Sequence, residues 1–160
     1  MIRPVEQRDI PALTDIYNHY ILHTTGSFET EAISVAEMAR RVEQISASHP
    51  YIVHETGGTV DGYCYAHPWK ERAAYRGTLE TTVYLADGSQ RRGIGRALMK
   101  RLIADCRAAG ARALIACVTG ENDASIALHR HLGFRQVACF EKVGLKFGRL
   151  LDVLDFELLL

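Results

Sequence analysis

Apolar positions change their period along this chain, and each change marks an element. Ile2 to Pro4 reads as a short first strand. Leu13, Ile16, Tyr17 and Tyr20 then recur on one face at helical spacing, with Asp9 as the expected N-cap and Pro11 in the first turn, where a missing N–H is harmless. Ser34 and Glu37 form a capping-box pattern and predict a second helix to about Ser48, ended by Pro50. The apolar runs Tyr51–His54 and Val60–Ala66 flank Thr56-Gly57-Gly58-Thr59, a hairpin signal.

The second half switches period again. Thr78 to Leu85 alternates and is rich in Thr, Val and Tyr, as a strand should be. A helix from Gly93 to Ala109 follows and stops at Gly110; Ala113–Val118 is unbroken apolar and predicts a fully buried strand. Asn122 opens a helix that runs through Leu132 to Gly133, and Gln136–Val143 and Leu150–Leu158 close the chain as strands around a Gly144/Gly148 connection. The order βααβββαβαββ predicts an α/β fold, a mixed sheet with helices on both faces.

One junction carries chemistry. Gln90-Arg91-Arg92-Gly93-Ile94-Gly95 joins a strand to a helix, and the first N–H groups of a helix have no partner inside it while the helix dipole is positive there. Two glycines allow close backbone approach, and Arg91, Arg92, Arg96, Lys100 and Arg101 add charge with no acid between Gly88 and Ala104. The turn therefore reads as a diphosphate cradle. It is neither a Walker loop nor a three-glycine dinucleotide fingerprint, and a solvated basic helix face is the plainer alternative.

Composition narrows the classes. The 19 basic and 19 acidic residues cancel, so nothing attracts the whole chain to nucleic acid or an anionic membrane. Cys64, Cys106, Cys117 and Cys139 form no Cys-x-x-Cys pair and sit in apolar contexts, which predicts buried free thiols in a reducing compartment. The N-terminus lacks the apolar core of a signal peptide, and no run approaches the roughly 18 apolar residues of a membrane span. The expectation is one domain over residues 1–160 in the cytoplasm. His19 and His23 are spaced as a metal pair, yet no acid completes a His-Glu-x-x-His pattern, so no metal is expected.

The element order, the Gln90-x-x-Gly93-x-Gly95 turn and the later Asn122-x-x-Ser125-x-x-Leu128-His129-x-x-x-Gly133-Phe134 segment resemble the GNAT acetyltransferase superfamily over the whole chain. Phe28, Pro68–Tyr75, Glu80–Tyr84, Leu128-His129 and Val143–Arg149 are similar to its phosphinothricin and methionine sulfoximine branch. The resemblance implies a twisted, mostly antiparallel sheet of about seven strands. It also implies acetyl-CoA as co-substrate, a small α-amino acid or analogue as acceptor, direct attack in a ternary complex, and a homodimer touching through the C-terminal strands and the Gly120 region.

Residue by residue, the resemblance assigns Glu80 as base and His129 as its catalytic partner. The cofactor falls to Val83, Tyr84, Leu85, Arg91, Arg92, Gly93, Ile94, Gly95, Arg96, Ala97, Asn122 and Ser125. The acceptor falls to Phe28, Lys70, Arg72, Tyr75, Thr82 and Tyr84, with Arg72 the better carboxylate clamp because guanidinium binds bidentately. By residue type alone, Glu80 reads as an edge carboxylate facing solvent; the plainer alternatives elsewhere are core packing for His129 and Phe28 and a solvated loop for Lys70 and Arg72. Two rival functions remain open: acetylation of protein N-termini or polyamines, and a non-catalytic acyl-CoA sensor.

Overall fold

The computed structural model describes residues 1–160. Seven strands form one sheet in the order β1-β2-β3-β4-β5-β7-β6. They are β1 (Ile2–Pro4), β2 (Tyr51–Thr56), β3 (Thr59–Pro68), β4 (Thr78–Leu85), β5 (Ala113–Thr119), β6 (Arg135–Lys146) and β7 (Arg149–Leu159). All pairings are antiparallel except β4 with β5. The helices are α1 (Ile10–His23), α2 (Val35–Ser46), α3 (Ile94–Ala108) and α4 (Asp123–His131).

Strand alternation sends successive side chains to opposite faces, and each face has its own core. Leu98, Met99, Leu102 and Cys106 of α3 and Ile126 of α4 bury against Cys64, Ala66, Leu79, Leu114, Ala116, Val118 and Phe156. On the other face Ile10, Leu13 and Ile16 of α1 and Met38 and Val42 of α2 bury against Tyr51, Val53, Val60 and Tyr63. Leu79, Val83 and Leu85 pack on the α3 side. Glu80, Thr82 and Tyr84 of the same strand therefore face the α1 side, where α1 and α2 cover only part of the sheet.

The parallel pair is short. Thr78, Leu79 and Glu80 pair with Ala113, Leu114 and Ile115, after which β4 keeps only β3 as a neighbour and β5 only β7. A gap opens between the two strands from residue 81 onward.

Several local expectations are corrected. The Asp9 side chain does not cap α1; it accepts the Glu6 N–H at 2.8 Å and forms a fork with the Arg3 guanidinium at 2.8 Å on both oxygens. The capping box is half formed: Ser34 Oγ accepts the Glu37 N–H, whereas the Glu37 carboxylate pairs with Arg40 and Arg41. β6 does not end at Val143 but runs on to Lys146, because a bulge between Phe140 and Gly144 absorbs the extra residues and Phe147-Gly148, both at positive φ, turn the chain in a two-residue hairpin. Only Cys64 and Cys106 are buried; Cys117 and Cys139 are exposed, because the parts of β5 and β6 that carry them have no helix over that side.

Candidate active site in the gap between two strands

The gap is the centre of a cavity of 1240 Å³ that reaches from the head of α3 to the uncovered part of the opposite face. Its walls hold most of the residues picked out from sequence: Phe28, Glu80, Thr82, Val83, Tyr84, Leu85, Arg91, Gly93, Ile94, Gly95, Arg96, Asn122, Ser125 and His129.

At one end, Arg91 (φ 61°) and Gly93 (φ 80°) bend the chain through left-handed backbone into α3. No side chain caps this helix, and the first internal bond is Ala97 N–H to Gly93 O. The N–H groups of Ile94, Gly95 and Arg96 have no partner in the chain, so positive dipole and free donors point into the cavity. Arg92 and Ala97, singled out from sequence with this turn, are exposed and lie outside the cavity wall. A turn this tight sends successive residues in different directions.

In the middle, the Leu85 N–H donates to Tyr20 Oη at 3.4 Å across the open edge of β4. Backbone N–H groups alternate along a strand, so the Val83 N–H points to the same open edge. Burial pushes the Glu80 carboxyl above its usual range, with His67 opposing and Asp155 reinforcing the shift. His67 Nε2 lies 4.0 Å from Glu80 Oε1, directly across the β3–β4 ladder.

His129 lies on the α3 side of the sheet, with its ring edge-on to Phe134 and stacked on Phe156. Its Nδ1–H donates to Ser125 O at 2.8 Å, and burial pushes the imidazole below its usual value. Burial thus favours the neutral ring, and its Nε2 has no partner in the chain. His129 and Glu80 form no hydrogen bond or ion pair; they flank one cavity from opposite faces of the sheet. Asn122 caps α4 by accepting the Ser125 N–H at 3.1 Å.

The acceptor residues divide. Phe28 is 41% exposed, not core, and its ring packs against Gly144, where a Cβ would overlap it. Its loop is held by the buried Lys146, whose Nζ donates to Ser27 O at 2.6 Å, and by Thr119 Oγ1 to Thr25 O at 2.6 Å. Lys70, Arg72 and Tyr75 are not brought into the wall. They stay on the β3–β4 loop, where Trp69 and Tyr75 meet edge-on and the Lys70 ammonium sits 4.2 Å above the Trp69 ring. Neither Lys70 nor Arg72 pairs with a carboxylate of the chain.

Sequence reading missed His67, Cys117 and Asp155. The apolar run predicts a strand ending at Ala66, one residue short of His67, whereas β3 runs on to Pro68. Carried one step further, the strand register would have set His67 opposite Glu80, and Cys117 opposite Asp155 follows likewise from β5 and β7.

The parallel pair is splayed, with an uncapped helix at its mouth and a carboxylate at its fork, and comparison with known proteins gives the chain its family. The family model "Acetyltransferase (GNAT) domain" matches residues 2–154. Phosphinothricin N-acetyltransferase of Alcaligenes faecalis is 42% identical over 153 residues, 94% of this chain and 78% of that protein. L-methionine sulfoximine/L-methionine sulfone acetyltransferase of Salmonella typhimurium is 36% identical over 98% of this chain and 92% of that one. A phosphinothricin acetyltransferase from Sinorhizobium meliloti, solved in complex with AcCoA, superposes with a TM-score of 0.97 at 36% identity, over 100% of this chain and 88% of that one. The chain belongs to the GNAT family and is an N-acetyltransferase.

Proposed function

We propose that the chain transfers acetyl from acetyl-CoA to the α-amine of a small amino acid or analogue of the phosphinothricin or methionine sulfoximine type, by direct attack in a ternary complex. The observation that carries this is the single cavity joining the free N–H groups of Ile94, Gly95 and Arg96 to the Glu80 carboxylate through the β4–β5 gap. The cofactor diphosphate sits on the α3 donors beside Arg91 and Arg96, and the pantetheine arm passes Asn122 and Ser125.

The acceptor arrives as an ammonium and must lose two protons to become an amide. Glu80, with its affinity for protons raised by burial, takes the first through water and frees the amine lone pair. Attack on the thioester carbon puts negative charge on its oxygen, which the Val83 N–H stabilises as a fixed dipole. When the C–S bond breaks, the second proton goes from nitrogen to sulfur. His129, neutral with a free Nε2 lone pair, is set to accept that proton in passing rather than to supply one of its own.

Phe28, Thr82 and Tyr84 wall the acceptor. Lys70 and Arg72, two of the three loop cations without a carboxylate partner and outside the cavity wall, would receive its acidic groups only where these reach beyond that wall. The enzyme works in the cytoplasm as a homodimer, a reading supported by four free cysteines and by the apolar outer surface of β6. No helix is long and apolar enough to cross a membrane.

The test is thiol release from acetyl-CoA across a panel of amino acids and analogues, run with the wild type and with Glu80→Gln. Acidic or sulfoximine-like acceptors should turn over best, and E80Q should lose about 10²–10⁴-fold in kcat/KM. Wild-type kcat/KM in E80Q from pH 6 to 9 would remove Glu80 as the base. Acetyl-CoA binding without thiol release for any amine in the panel would leave only a cofactor-binding role.

A further inference from the structure

A second cavity of 470 Å³ lies on the α2 side of the sheet. Only Tyr17, Tyr65 and His67 line both it and the active-site cavity. This partition matters because the reaction has a proton left over. An ammonium and a thioester become an amide and a thiol, and one proton is released per turnover. Glu80 collects it in the cavity that acetyl-CoA and the acceptor share, so a route that passes neither substrate frees the carboxylate while both are still bound.

We propose that His67 is that way out, carrying the proton from Glu80 Oε1 to the second cavity. The proposal rests on the acetyltransferase reading above. Three observations place it. His67 is the cross-strand partner of Glu80, with Nε2 at 4.0 Å from Oε1, one water or a small ring rotation from contact. Its Nδ1 lies 3.0 Å from Pro68 O, so Nδ1 carries the hydrogen and Nε2 turns a lone pair toward the carboxyl. Its ring also borders the second cavity, which His49 lines as well.

The other two partition residues do not serve. Burial pushes the Tyr17 hydroxyl up to about 12 and raises that of Tyr65, so neither exchanges a proton near neutrality. The groups facing His67 are Glu80 from β4, Tyr65 from its own strand and His49 from the loop before β2; Arg41 of α2 lines the same second cavity, and Asp155 acts on Glu80 from β7.

The step balances simply. Glu80–COOH gives its proton to Nε2 and returns to carboxylate, the imidazolium gives a proton to water or buffer in the second cavity, and the neutral ring is restored. His67 touches no substrate atom and is a relay for Glu80.

The experiment is His67→Gln, assayed for steady-state turnover from pH 6 to 9 with and without added imidazole. The kcat should fall at least about tenfold near pH 6.5, less than the roughly 10²–10⁴-fold for a directly acting base. It should recover with added imidazole and as hydroxide takes over at high pH, while the KM for acetyl-CoA stays unchanged. Unchanged kcat at every pH, or a uniform loss that imidazole does not restore, overturns the relay even though the wild type remains an acetyltransferase. Should H67Q fail to bind acetyl-CoA, the wild type decides. Added imidazole should then leave the wild-type kcat near pH 6.5 unchanged, because the relay already empties Glu80, and a kcat that rises with imidazole in the wild type overturns the relay. Absence of wild-type turnover is a different result and strikes the enzyme reading itself.

Discussion

Glu80 and His129 are both penalised by burial, yet the penalty does opposite things to them. It keeps the imidazole neutral and makes the carboxyl hold its proton more tightly, which suits an acceptor at each side of the gap. The Glu80 shift also has a price in stability whose sign is fixed by linkage. A folded carboxyl with a raised value binds more protons than the unfolded chain between the usual carboxylate value of 4.5 and the raised one, so stability falls as pH climbs through that window. Below 4.5 the penalty is absent. E80Q carries no charge at any pH, so its melting temperature should match the wild type near pH 4 and exceed it at pH 8, each kcal/mol relieved being worth about 2–4 °C in a chain of this size. Equal melting temperatures at both pH values, read by calorimetry, would mean that the carboxylate is better solvated than its position implies. The residue types at 80 and 129 were legible in the sequence only through resemblance, since one glutamate among 19 acids carries no local mark.

Elements were more legible than residues, for a physical reason. Periodicity, caps and glycine turns are local, and they located every α-helix and strand in order, missing only the short 3-10 turns Gln7–Asp9 and Ala73–Tyr75; other errors fell where a tertiary contact overrode a local rule. Asp9 left its helix for Arg3, and β6 ran past Val143 because a bulge and a hairpin turn let Gly144 seat Phe28. The β4–β5 splay is not local at all, because nothing in either strand alone says where their pairing stops. The glycine turn was legible, and it separates two glycines by role. Gly93 sits at φ 80° with open space where a Cβ would go, so substitution there strains the backbone without a clash. Gly95 is helical, and a Cβ would meet Leu85 and Leu128 at 3.5 and 3.6 Å, ordinary contact. Gly93→Val should cost about 1–3 kcal/mol of strain and turn the α3 donors off axis. We expect acetyl-CoA affinity by calorimetry to weaken about tenfold or more, with Gly95→Ala nearer wild type, in keeping with 1.4 kcal/mol per tenfold. Wild-type affinity in G93V would move the diphosphate elsewhere.

At the scale of the whole molecule, β6 is the outermost strand and its end is built inside out. Lys146 and Gly144 are buried, whereas Val143, Leu145, Phe147 and Leu150 are each more than half exposed. A long edge strand with outward apolar side chains is an invitation to pairing that a monomer would blunt with charge. A second copy covers it most simply, since twofold pairing sets the same patch against itself. The proposed homodimer then predicts a mass in light scattering of twice the 17.8 kDa chain, and its loss when Leu145 and Leu150 are both replaced by Glu. The strand that would form this contact also carries Gly144 under Phe28 and Lys146 on Ser27 O. Splitting the dimer should therefore raise the acceptor KM several-fold through the Phe28 loop while acetyl-CoA affinity, set at the far end of the cavity by α3, holds. A monomeric wild type, or a split that weakens both substrates equally, would sever the link between this edge and the acceptor wall.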